Sequence, residues 1–173
     1  MSRLRRRERD AFDAVYDTYQ PRLYGFLLRL SGDRARAEDL VQETFVRLAH
    51  SAPSLRPDTR LSAWLFRVAR NLWFDQRRRA LLDLDRLREL SLWPRARLSP
   101  TTPFTHLVAD QTQARLERAL ALLPTPQREA ILLVAVEGFS PHDAARIADV
   151  KPAALRQRLR RARAALRVAM ETM

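Results

Sequence analysis

The sequence predicts an all-α protein built as two small helical domains joined by a flexible linker. Three observations predict it. Apolar residues recur at three- and four-residue steps in most segments, the spacing of a helix that buries one face. Only three glycines occur in 173 residues, too few for an all-β fold with many tight turns. Segment 81–110 carries Pro94, Pro100, Pro103 and the polar run 99–103. Proline blocks helix continuation and polar residues offer little to bury, so this stretch divides the chain. Hydrophobic residues make up 46% of the sequence, enough to bury a core, which argues against wholesale disorder.

The first block reads as three helices. Phe12, Val15, Tyr16, Tyr19, Leu23, Phe26, Leu27 and Leu30 form one apolar stripe. Gly32 is placed to end that helix in a left-handed cap, and Asp33 to open the next as its N-cap. The second helix turns Leu40, Val41, Thr44, Phe45 and Leu48 inward. Pro53 and Pro57 then break the chain. A third helix is expected over about 59–79, with Trp64, Leu65, Val68 and Leu72 inward. A weaker fourth is expected over 81–92.

The second block reads as four helices. Leu116, Leu120 and Leu123 mark the first, closed by Pro124. Pro126 suits the opening turn of the second, whose expected face is Ile131, Leu132 and Ala135, and Gly138 ends it. Ser140-Pro141 is an N-cap followed by proline at the first helical position. That third, short helix turns Ala144, Ile147 and Ala148 inward. Asp149 and Val150 form a tight corner. Pro152 opens the last helix, with Leu155, Leu159, Ala162 and Leu166 as its core stripe.

Charge narrows the function. The chain has 32 Lys+Arg against 20 Asp+Glu, a net +12. Residues 1–80 hold 17 basic and 10 acidic groups, 81–110 four of each, and 111–173 eleven and six. Two basic blocks therefore flank a neutral segment. All the basic residues but Lys151 are arginine, whose planar fork of donors suits phosphates and guanine edges. A coding bias toward arginine explains the same composition, so position carries more information than identity. With no cysteine, disulfides and Cys-based zinc sites are excluded, and His50, His106 and His142 lack ligand spacing. No apolar run approaches the ~20 residues of a membrane span. The basic stretch 1–9 is not followed by the apolar segment of a secretory signal. The expectation from composition is a soluble, mostly helical protein of a reduced compartment with no membrane insertion and an excess of positive charge.

Three constellations stand out. The last two helices, with their capped start and tight corner, make a helix-turn-helix, whose second helix enters the major groove. Its outward face carries Arg156, Gln157, Arg160, Arg161 and Arg163, with Arg158 alongside. Residues 151–167 hold seven basic groups and no acid. Arg156, Gln157 and Arg160 lie within a turn of one another and are of types that read guanine and adenine edges. Arg158, Arg161 and Arg163 fit phosphates better. A solvated basic face is the competing reading. In block one, Arg67, Asn71 and Arg78 share a stripe opposite Val68 and Leu72, with Arg70, Arg77 and Arg79 beside it. Trp64, Trp73 and Phe74 interleave, and aromatic plus cationic surface suits unstacked bases. Trp64 and Phe74 are expected in the core, Trp73 at the surface. The second helix carries Glu38, Asp39, Gln42 and Glu43, with Asp39 and Glu43 one turn apart. Such a pair can help hold a metal for phosphoryl chemistry, dock a basic partner, or simply face solvent.

These residues resemble a known family. Segment 38–45, Glu-Asp-Leu-Val-Gln-Glu-Thr-Phe, is similar to the core-binding motif of bacterial extracytoplasmic-function (ECF) RNA polymerase sigma factors. Segment 63–71, Ala-Trp-Leu-Phe-Arg-Val-Ala-Arg-Asn, resembles their promoter-melting helix. Segment 123–129, Leu-Pro-Thr-Pro-Gln-Arg-Glu, with the helix-turn-helix behind it, resembles their sigma domain 4. The resemblance covers about 8–80 and 111–168. It implies sigma domain 2 over 8–80, a linker over 81–110 and sigma domain 4 over 111–170.

The same resemblance implies a promoter-recognition and initiation factor rather than an enzyme. Asp39, Leu40, Gln42 and Glu43 would dock on the β′ clamp helices of core polymerase, and domain 4 on the β flap. Arg67 and Asn71, with Arg70, Trp73 and Arg78, would serve the −10 element, and a loop around 54–61 would capture a flipped base. Arg156, Gln157 and Arg160, with Arg158, Arg161 and Arg163, would serve the −35 element. The linker would thread the polymerase channel, and an anti-sigma factor would be a further partner. Two departures from the family are visible. Asp149 stands where glycine is usual, and Lys151-Pro152-Ala153-Ala154 where many members have Pro-Val-Gly-Thr, so Ala154 lacks the threonine hydroxyl. Two rival functions are a free-standing helix-turn-helix regulator and a metal-dependent nuclease using Asp39 and Glu43.

Overall fold

The computed structural model describes the backbone of residues 1–89 and 111–172, and side chains in that range except those of 83–89. The described residues fold into helices, with no strand among them. Both expected blocks are present. The first is α1 (Ser2–Arg5), α2 (Arg9–Ser31), α3 (Arg34–Ser51), a 3-10 turn (Ala52–Ser54) and α4 (Leu61–Glu89). The second is α5 (Gln111–Leu122), α6 (Thr125–Ile131) continuing into a π turn (Leu132–Val136), α7 (Pro141–Ile147) and α8 (Pro152–Thr172). No described helix is long and apolar enough to cross a membrane.

The punctuation falls where the residues place it. Gly32 adopts φ 72° and its N–H donates to the Leu28 carbonyl, ending α2. The Asp33 carboxylate accepts from the Arg36 N–H at 3.1 Å and starts α3. On α3, Ala37, Leu40, Val41, Thr44, Phe45 and Leu48 face inward, and the buried Thr44 hydroxyl donates to the Leu40 carbonyl at 2.7 Å. Leu23, Phe26, Leu27 and Leu30 of α2 and Leu65, Phe66, Ala69 and Leu72 of α4 complete this core. Phe26 and Phe66 meet edge-on at 5.3 Å between ring centroids. In the second block, the Ser140 hydroxyl accepts from the Asp143 N–H at 3.0 Å to cap α7. Asp149 turns the corner into α8 at φ 52°. Asp tolerates the left-handed region better than most side chains, so glycine is not required there.

Three expectations are corrected. Helix α4 runs unbroken from Leu61 to Glu89, so the third and fourth helices of block one are a single helix, in accord with the absence of Gly and Pro over 61–92. Residues 90–92, like the remainder of the expected linker, lie outside the described residues. Ahead of the expected helices, the short α1 buries Leu4 against the 3-10 turn and α2. Tyr16 belongs to the expected stripe but is exposed, its ring resting 4.7 Å from that of Phe45. Ala135 faces solvent while Leu133 is buried. The Glu137 N–H donates to the Leu132 carbonyl, an i→i+5 bond, and this wider turn rotates the register away from the 3.6-residue period.

The two blocks pack against each other. Phe66 of α4 meets Phe139, on the segment leading into α7, at 5.1 Å and 74°. The Arg128 guanidinium donates to the carbonyls of Ala121, Leu123 and, across the boundary, Arg29.

Candidate nucleic-acid and polymerase interfaces

Helix α8 presents its basic face as the sequence implies. Leu155, Leu159 and Ala162 are buried, while Arg156, Gln157, Arg160, Arg161 and Arg163 are exposed along one side. Arg158 differs. It is half-buried, and its Nη1 lies 3.6 Å from Glu129 Oε2. Its guanidinium is turned toward the protein, unlike its neighbours.

Helix α4 divides its candidates. Arg67 and Arg78 are exposed and Asn71 is half-buried. Arg70 is turned inward: Nε donates to Glu129 Oε1 at 2.7 Å, Nη1 donates to Asn71 Oδ1 at 3.1 Å, and the guanidinium lies 4.1 Å from the Phe74 ring centroid. Trp73 is corrected outright. It is only 5% exposed, packed edge-on against Phe74 at 4.6 Å and covered by the Arg77 guanidinium. It fills the core behind the basic stripe. Trp64 and Phe74 are half-buried against the core.

Residues Leu55–Arg60 connect the 3-10 turn to α4. Arg56 and Asp58 pair with each other at 3.0 Å, and Arg60 grips both oxygens of Asp143 at 2.8 and 2.9 Å. With Trp64 and Arg67 on one side and His142 and Arg146 of α7 on the other, they line a cleft of about 460 Å³. The expected base-capturing loop therefore faces the second block in this structure.

Helix α3 exposes Glu38, Asp39, Gln42 and Glu43. Glu38 pairs with Arg34 and Glu43 with Arg47, each one turn along the helix. Leu40 is fully buried, so it secures the helix to the core and offers no side-chain surface to a partner. Val46 was not singled out by sequence reasoning. It is 49% exposed, one turn from Gln42 and Glu43, and adds an apolar spot to the acidic stripe. An exposed valine three residues after a carboxylate was the available signal. No group of three or more His, Cys, Asp or Glu among the described residues could hold a metal ion.

Electrostatics single out one carboxylate. Glu129 is 1% exposed, and burial pushes its carboxyl above the usual range, while Arg70 and then Arg158 pull it back. Burial likewise raises Glu137, opposed by Arg22 and Arg29. The Ser140 hydroxyl and the Arg60 guanidinium hold Asp143 low. Burial, with Arg77 nearby, lowers Arg128.

Residues 15–81 match Sigma-70 region 2, and residues 113–166 match Sigma-70 region 4. The ECF RNA polymerase sigma factor EcfG of Rhodopseudomonas palustris is 37% identical over 149 residues, which span 84% of this chain and 77% of that protein. The chain belongs to the ECF RNA polymerase sigma factors. The RNA polymerase sigma factor CarQ of Myxococcus xanthus is 33% identical over 166 residues, which span 93% of this chain and 90% of that protein. The sigma factor RpoE of Bartonella quintana, solved in complex with the anti-sigma factor NepR, superposes with a TM-score of 0.78 at 29% identity. That match covers 93% of this chain and 97% of the other, so it includes both helical units. This sigma factor is accordingly a polymerase-binding, promoter-specific initiation factor and not an enzyme. The free-standing regulator is disfavoured, because the first block is a region 2 in its own right.

Proposed function

We propose that this sigma factor docks core polymerase through the outward stripe of α3, reads the −35 element with α8 and holds the melted −10 element with α4. Asp39, Gln42 and Glu43, with Val46 beside them, contact the β′ clamp helices, and the second domain contacts the β flap. Arg156, Gln157 and Arg160 read base edges, while Arg161 and Arg163 take phosphates. Arg67, Asn71 and Arg78 serve the −10 strand beside the 55–60 loop. The domains are taken as 8–80 and 111–170, with 81–110 joining them. The protein acts in the cytoplasm, where the polymerase is, and an anti-sigma factor of the kind seen with the Bartonella relative holds it inactive.

The exposed guanidinium row of α8, set behind a capped α7, is the observation that carries this reading. Base contacts supply choice and phosphate contacts supply salt-dependent affinity. The chain between the described blocks, 90–110, is 21 residues and reaches at most about 75 Å when extended. Promoter elements about 25 base pairs apart are separated by roughly 85 Å of duplex. Linker reach plus the breadth of the two domains is thus of the right size.

The test is pull-down of core polymerase and run-off transcription by wild type and by Asp39→Arg/Glu43→Arg. Reversing the stripe is expected to abolish core binding while leaving duplex binding by α8 intact. Unchanged core binding would refute the assignment of α3.

A further inference from the structure

Among the described residues, four ion pairs cross the boundary between the domains, and all four have the same polarity. Arg22 pairs with Glu137 at 3.1 Å, Arg29 with Glu117 at 2.8 Å, Arg60 with Asp143 at 2.8 Å, and Arg70 with Glu129 at 2.7 Å. The arginine belongs to the first domain each time and the carboxylate to the second. Residues 111–173 contain six acidic residues, Glu117, Glu129, Glu137, Asp143, Asp149 and Glu171, so four of the six are committed to one face of the other domain. Random scatter of charge on a cationic domain does not give that pattern.

We propose that the second domain acts as an internal stand-in for the DNA backbone: its four carboxylates occupy arginines of the first domain and keep the protein closed until nucleic acid displaces them. The proposal rests on the DNA-facing reading of the 55–60 loop and α4 given above. Arginine forks bind carboxylate and phosphate in the same geometry. Arg60 Nη1 donates to both oxygens of Asp143, a contact that two phosphate oxygens could accept in their place. Arg70 leaves the basic stripe of α4 to reach Glu129, and the same carboxylate draws Arg158 off the basic face of α8. One acidic side chain thus binds both DNA-reading helices.

The closed form is incompatible with a promoter. With Arg70 and Arg158 sharing a single carboxylate of α6, α4 and α8 are both tied to one point of the boundary, whereas their two elements are tens of ångströms apart on duplex DNA. The side chains of Glu129, Glu137, Glu117 and Asp143 are 1, 6, 11 and 16% exposed. Drying a carboxylate consumes most of what its partner returns, so such pairs are close to break-even and yield to a competing polyanion. Apolar contact accompanies them: the buried residues of the two blocks form one continuous cluster, and Phe66 meets Phe139 across the boundary.

The chain has no cysteine, which makes a two-colour distance measurement simple. Dyes on Ala35→Cys and Ala164→Cys, both exposed sites, report the separation of α3 and α8 in the full chain. The clasp variant is Glu117→Gln/Glu137→Gln/Asp143→Asn, with the fully buried Glu129 left in place so that folding is spared. The control, Asp10→Asn/Asp13→Asn/Asp17→Asn, removes the same charge from exposed positions of α2. The probe is a 30-nucleotide single-stranded DNA of mixed sequence. Wild type and control are expected to show high energy transfer at 50 mM salt, falling when the DNA is added. The clasp variant is expected to show low transfer without DNA and to bind the DNA about five- to tenfold more tightly than the control. Equal transfer in clasp variant and control, or equal DNA affinity, overturns the proposal. Energy transfer needs neither polymerase nor promoter, so a failure of the initiation reading in the run-off assay is recognised separately.

Discussion

Arg70 of α4 and Glu129 of α6 form an ion pair at 2.7 Å across the domain boundary, the arginine backed by the Phe74 ring and the carboxylate almost wholly dry. Glu129 Oε2 accepts no hydrogen bond among the described residues, and Arg158 Nη1 lies 3.6 Å from it. Truncating the arginine would leave a buried charge with one distant partner. Arg70→Ala is expected to cost about 3 kcal/mol in urea unfolding, the usual penalty for half of a buried pair. A loss below about 1 kcal/mol would mean that water reaches Glu129.

The same carboxylate sets a pH dependence. Its folded-state pKa is raised chiefly by burial, against the opposing pull of the two guanidinium groups that face it, Arg70 and Arg158. Between the ordinary carboxylate value and the raised one, the folded state binds more protons than the unfolded. Stability from this group is therefore present at low pH and lost as pH rises. Glu137 acts in the same sense, whereas Asp143 and Glu8, both held low, lose their contribution as pH falls. Glu129→Gln removes only the first of these. Its stability relative to wild type is expected to improve from pH 4.5 to pH 7.5 in paired urea titrations. Movement in the opposite direction would show that the arginines outweigh burial.

Trp73 and Arg67 separate core from surface on one helix. Trp73→Ala is expected to lose about 3–5 kcal/mol, as for other buried aromatics, and to lower the melting temperature before any effect on DNA is discernible. Arg67→Ala is expected to leave stability within about 0.5 kcal/mol and to reduce run-off transcription. A stable Trp73→Ala protein that fails only in promoter opening would return Trp73 to the DNA surface.

On α8, Arg156→Ala is expected to cost about 1–3 kcal/mol on a preferred −35 sequence and to relax choice at one base pair. Arg163→Ala is expected to weaken all sequences equally and to reduce the slope of log affinity against log salt by about one. Measuring both variants on specific and random duplexes distinguishes the roles. An equal loss on both duplexes for Arg156 would make it a phosphate contact.

Much of this was legible in the residues, because the signals were local. Gly32, Asp33, Ser140 and Asp149 act through their own backbone or the next turn, and each does what its side chain dictates. The exposed row on α8 follows from simple helical spacing. What escaped was non-local. Trp73 looked available because it sits among arginines in sequence, yet Phe74 and Arg77 enclose it. Arg70 and Arg158 looked like surface cations until Glu129, far away in the chain, claimed both. Ala135 was misplaced by a single widened turn that no residue type announces. The α4 boundary was lost by expecting a break where no Gly or Pro stands.

That unbroken helix carries a mechanical consequence. Among the residues whose side chains are described its last buried one is Trp73, and the helical backbone continues to Glu89, 16 residues farther, or about 24 Å at 1.5 Å per residue. The chain leading to the second module therefore departs from the end of a continuous helix, a stiff spar, and not from the residues that close the core. A rigid outrigger shortens the slack that must be spanned and raises the local concentration of one module beside the other. Inserting a glycine pair after Ala80 would make the spar pliant and blur the preferred spacing between promoter halves.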